Sequence, residues 1–93
     1  MRHDAAERAK RTLSEEEWDE LGLRASIYVL RIRRAAGRTA SPGRVEGIAG
    51  AVLEEFYDGD VQVSVDEDAE GQDLVAHIIR GLAPALKARA EEP

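Results

Sequence analysis

Val61-Gln62-Val63-Ser64-Val65 decides the fold class of this chain. Three valines alternate with two polar residues, the period of a strand with one buried face. Helical patterns lie on both sides of it. One strand cannot satisfy its own amides and carbonyls, so it needs a partner. The expectation is therefore an α+β domain, mostly helical, in the order helix, helix, short strand, helix. The strand would pair with its own copy across the two-fold axis of a homodimer. The alternative is a βαβα order, in which Ser26–Ile32, rich in β-branched and aromatic residues, supplies the second strand.

Upstream, Ser14 followed by Glu17 has the spacing of a capping box, and Leu13 with Trp18 that of a hydrophobic staple. Trp18, Leu21, Ala25, Tyr28, Ile32 and Ala35 then recur at helical steps, with Leu23, Ile27 and Leu30 widening the face. Acids crowd the start of this segment and arginines its end, as the helix dipole favours. Gly37 suits the position just past the last turn. Ser41-Pro42 marks a second start, and Val45, Ile48, Ala49, Val52, Leu53 and Phe56 form its stripe up to Asp58-Gly59. Gly43, Gly47 and Gly50 read as sites of close helix packing. Downstream, Asp73 can cap a last helix with the stripe Leu74, Val75, Ile78, Ile79, Leu82 and Leu86. Gly81 and Pro84 interrupt it, and proline predicts a kink or restart near Ala83.

At 93 residues the chain makes one domain, expected over 13–90. Residues 1–12 read as a flexible tail or loose helical extension, and 91–93 as a frayed end. Hydrophobic content of 43% supports a core built from Leu, Ile, Val and Ala, since aromatics are few. A core this small is another reason to expect a second subunit. There is no cysteine, which excludes disulfides, thiolate metal sites and cysteine nucleophiles and fits a cytoplasmic protein. No apolar run approaches the ~20 residues of a membrane span.

The charges are sorted by sign. From Gly22 to Val45 stand Arg24, Arg31, Arg33, Arg34, Arg38 and Arg44, with no acid. From Glu46 to Ile79 there is no Lys or Arg, and acids gather at Asp58, Asp60, Asp66, Glu67, Asp68, Glu70 and Asp73. Segregated charge builds a local field, and a field selects partners. A GC-rich genome gives the same preference for Arg over Lys, so the sign matters more than the residue type. On a helix Arg24, Arg31 and Arg38 are seven apart and share a face, with Arg34 beside them. That stripe would meet an acidic protein partner or, in the alternative, nucleic-acid phosphates. A net charge of −6 and the missing helix-turn-helix pattern disfavour the nucleic acid.

Asp66-Glu67-Asp68-Ala69-Glu70-Gly71 resembles the opening of a helix–loop–helix calcium loop. Acids at its first, third and fifth positions (Asp66, Asp68 and Glu70) would supply oxygen ligands, and Gly71 the sharp turn. The pattern departs at the eighth position, Asp73, and at the twelfth, where His77 replaces a bidentate Glu. A solvated acidic turn explains the same residues. For catalysis, His77 has Asp73 four residues before it, but Ser14, Ser26, Ser41, Ser64, Thr12 and Thr39 lie in no nucleophile motif. No glycine-rich phosphate loop is present. The functional expectation is a non-enzymatic protein-interaction, adaptor or assembly subunit without a cofactor. A dimeric nucleic-acid-associated regulator and a divalent-cation module at the acidic loop are the alternatives.

Overall fold

The structure, a computed structural model, describes residues 2–66 and 68–92, with side chains from Glu7 onward. Met1 of the expected tail, Glu67 of the acidic loop and Pro93 of the C-terminal end lie outside the described residues. The elements are α1 (Arg2–Thr12), α2 (Glu15–Ala35), α3 (Pro42–Asp58) and α4 (Gly71–Ala90).

The α+β expectation is corrected: the fold is all-α, with no strand among the described residues. Ser26–Ile32, the alternative strand, is the middle of α2. Its helical caps and stripe outweigh its β-branched composition. Val61–Val65 is an extended link without a ladder partner. Its alternation is nonetheless physical. Val63 and Val65 are buried while Gln62 and Ser64 are exposed. A helix surface, rather than a neighbouring strand, covers the apolar side. Period two reports extended backbone with one face buried; it does not report who buries it. Pairing of strands across a homodimer is withdrawn with it.

The helix ends follow the sequence closely. The Ser14 hydroxyl accepts from the Glu17 amide at 3.1 Å, and the Glu17 carboxylate accepts from the Ser14 amide at 2.9 Å. The Ser41 hydroxyl accepts from the Arg44 amide at 3.4 Å, with Pro42 in the first turn. Gly37 and Gly59 follow α2 and α3 with φ of 70° and 89°. In both, the amide beyond the glycine reaches five residues back: Arg38 to the Arg33 carbonyl and Asp60 to that of Glu55. By contrast, Asp73 does not cap α4. That helix begins at Gly71, with Glu70 at the cap position and no side-chain bond there. Pro84 does not break it either; α4 runs unbroken to Ala90. Proline removes the bond to the Arg80 carbonyl, but Leu82 and Leu86 on either side of it are fully buried. Each contributes roughly 1.5–3 kcal/mol of apolar burial, which outweighs one exposed bond.

The core lies between α2, α3 and α4. It joins Leu21, Ala25 and Val29 to Val45, Ala49, Val52 and Phe56, and to Leu74, Val75, Ile78, Leu82, Leu86 and Ala90. The first residues, read as a tail or loose extension, form α1. Ala9 and Leu13 are buried, and the Lys10 ammonium stands 4.9 Å from the centre of the Phe56 ring. Gly43, Gly47 and Gly50 are exposed, and a β-carbon at any of them would meet nothing within 4 Å. They are not the close-packing positions expected.

Candidate interaction face

The buried edge of α2 is Leu21, Ala25, Val29 and Arg33, four residues apart each time. This rotates the helix relative to the sequence expectation. Tyr28 and Ile32 become half-buried flanks, while Leu23 and Ile27 point away from the core at 61% and 39% exposure. At 100° per residue, Leu23, Ile27, Leu30 and Arg34 fall on one outward face. Grooves along its side are walled by Ser26, Ile27 and Leu30 of α2 and by Ala40, Pro42, Val45 and Glu46. Towards the start of the helix a second groove is lined by Leu23 and Ser26 of α2 and by Glu46, Ala49, Gly50 and Leu53 of α3.

The arginines predicted as one stripe are divided by the fold. Arg24 is occupied. Its guanidinium donates to the Glu20 carboxylate at 2.8 Å and to the Gln72 amide oxygen at 2.9 Å. The Gln72 amide nitrogen closes the ring by donating to Glu20 at 2.7 Å. This network ties α2 to the first turn of α4. It also holds the Glu20 carboxyl below its ordinary pKa, chiefly through the Gln72 hydrogen bond, with Arg24 adding to it. Arg31 and Arg34 stay exposed on the outward face. Their side chains make no ion pair or hydrogen bond among the described residues, and neither does that of Arg38. Arg38 lies past Gly37, so it leaves the seven-residue repeat that placed it with Arg24 and Arg31.

Arg33, which the predicted stripe left out, is buried at 2% exposure. Its Nε donates to the Thr39 carbonyl, and Nη1 donates to the carbonyls of Ala90 at 3.0 Å and Glu92 at 2.9 Å. A buried guanidinium needs acceptors in several directions, and the last carbonyls of α4 lack helical partners. Arg33 thereby fastens the ends of α2 and α4 to the α2–α3 link. The signal was available in the sequence: Arg33 continues the four-residue step from Leu21, Ala25 and Val29.

The acidic loop joins the Val61–Val65 link to α4. Asp66, Asp68 and Glu70 are exposed, and no cluster of three His, Cys, Asp or Glu side chains suited to a metal exists among the described residues. Gly71 does make the expected turn, at φ 54°. His77 bonds through Nδ1 to the Asp73 backbone carbonyl at 2.7 Å, not to its carboxylate. Its Nε2 lies 3.6 Å from Asp66. Aromatics gather where the start of α2 meets the end of α3. Trp18 packs 6.3 Å from Phe56 and 5.9 Å from Tyr57, and Tyr57 is largely exposed. Among the described residues no helix is long and apolar enough to cross a membrane. No protein-family model, curated protein or solved structure matches the chain.

Proposed function

We propose that the protein is a non-enzymatic interaction module that works through the outward face of α2. The observation carrying this reading is the apolar pair Leu23 and Ile27, left outside the core on the same face as Arg31 and Arg34, which have no side-chain partner among the described residues. Single exposed apolar residues are ordinary; two adjacent ones on a charged helix face favour a partner. The partner would be a protein with an apolar ridge beside acids. The apolar contact gives affinity, and the arginines set orientation. Affinity capture on the immobilised protein tests it. A partner held by the native protein and lost from both Leu23→Asp and Arg34→Glu is expected. Equal capture by all three would sink the reading.

A second reading rests on Arg31, Arg34 and Arg38 alone, whose guanidinium groups, unpaired among the described residues, suit phosphates as well as carboxylates. Nucleic-acid binding of that kind would weaken steeply with salt, with a slope of roughly −0.9 per phosphate neutralised. Titration of labelled duplex DNA separates the two readings, because Leu23→Asp would leave phosphate binding intact.

A further inference from the structure

We infer that the occupant of the α2 face is a second copy of this chain, its α2 laid antiparallel across a two-fold axis that crosses the outward face at the level of Ala25. The inference rests on the interaction reading above and names its partner. Three observations carry it: the order of charge along the face, the place of the apolar pair, and the mutual neutralisation of the two other charges in the middle of α2.

The outward face reads Glu16, Asp19, Leu23, Ile27, Leu30, Arg31, Arg34. Acids occupy its start, apolar residues its middle and bases its end. Glu16, Asp19, Arg31 and Arg34 are not engaged by other side chains among the described residues. Glu20 and Arg24, which would blur the order, neutralise each other at 2.8 Å.

Helical rise turns this order into distances. Glu16 and Arg34 each lie nine residues from Ala25, about 13.5 Å along the axis. Asp19 and Arg31 each lie six residues away, about 9 Å. Leu23 and Ile27 flank the centre equally. An antiparallel copy therefore sets Leu23 against Ile27, Glu16 against Arg34, and Arg31 level with Asp19, each twice by symmetry. A parallel copy would set Glu16 against Glu16 and Arg34 against Arg34. Repulsion at both ends excludes that register. The face is self-complementary in one direction only.

Sedimentation equilibrium across a dilution series, at low salt where surface charge is least screened, tests the pairing. The native chain should dimerise in a concentration-dependent way. Glu16→Arg alone sets Arg against Arg34, and Arg34→Glu alone sets Glu against Glu16. Each should weaken the dimer by about tenfold. An equimolar mixture of the two variants restores both opposite pairs. So does one chain carrying both changes. Each should return to within about twofold of native affinity. Leu23→Asp should be monomeric throughout, with unchanged helical circular dichroism, because the residue lies outside the core.

A native chain that is monomeric at every concentration overturns the pairing. So does a dimer indifferent to the charge swap. If the native chain is monomeric but captures another protein in a Leu23-dependent manner, the interaction reading stands and self-pairing alone fails. If Leu23→Asp changes neither property, both fail.

Discussion

Val63 occupies the space that a side chain at Gly81 would need. A β-carbon on Gly81 would lie 2.2 Å from Val63 Cγ1 and 3.2 Å from its Cβ. The link between α3 and α4 thus rests directly on the backbone of α4. Glycine in a helix interior costs roughly 1 kcal/mol against alanine, so Gly81→Ala would ordinarily stabilise. Here the added methyl must displace a stiff β-branched side chain whose link is itself buried at Val65. Gly81→Ala should lower stability by about 1–2 kcal/mol in urea unfolding. In a Val63→Ala background the same change should be neutral or stabilising. An unchanged effect in both backgrounds would remove Val63 as the cause.

Arg33 is the arginine whose loss the fold should feel most. Arg33→Met deprives the carbonyls of Thr39, Ala90 and Glu92 of their donor. A loss of about 2–4 kcal/mol is expected. Arg33→Lys should recover little, because one ammonium cannot reproduce a planar fork. Arg31→Ala and Arg34→Ala, on the exposed face, should stay within about 0.5 kcal/mol of native. Equal effects at all three positions would show that burial is not what distinguishes Arg33.

How much of this was legible in the sequence depends on the range of the signal. Ser14, Glu17, Gly37, Ser41 and Gly59 act within a few residues, and the structure uses each as read. The stripes of α3 and α4 were legible because few other apolar residues compete with them. That of α2 was ambiguous, since Leu23, Ile27 and Leu30 extend the apolar positions around most of the helix. Only the positions of α3 and α4 decide which of them face inward. The same limit explains the misread strand: Val61–Val65 encodes one buried side, and the backbone that meets its central Val63 is at Gly81, eighteen residues further on. Of the arginines singled out from the sequence, Arg31 and Arg34 are exposed on the outward face and Arg24 is partnered by Glu20 and Gln72, while the apolar pair Leu23 and Ile27 was expected in the core.

Gly22 offers the contrasting case to Gly81. It lies inside α2, and a β-carbon there would meet only Leu53 Cδ1, at 4.0 Å. That is ordinary van der Waals contact, so the helix-propensity gain has nothing to oppose it. Gly22→Ala should stabilise by about 0.5–1 kcal/mol, read as a higher urea midpoint with an unchanged slope. A lower midpoint would mean that α2 and α3 approach more closely than this contact indicates.

The Glu20–Arg24–Gln72 network predicts a pH dependence of definite sign. Glu20 titrates below its ordinary value of 4.5 in the folded chain, with the Gln72 hydrogen bond the largest cause and Arg24 adding to it against an opposing desolvation. A depressed carboxyl favours the folded state when ionised. Its contribution is therefore complete above the ordinary value and is lost as pH falls through the lower folded value. Glu20→Gln should be less stable than native near neutral pH, and the gap should narrow as pH drops below 4.5. Gln72→Leu should narrow the gap similarly, because it removes the first cause while leaving the Arg24 ion pair. The network is partly exposed, so salt should reduce the Arg24 share and spare the Gln72 share. Urea unfolding across the acid range, at two salt concentrations, measures both. A gap between Glu20→Gln and native that widens towards low pH would reverse the sign and place the stabilisation elsewhere.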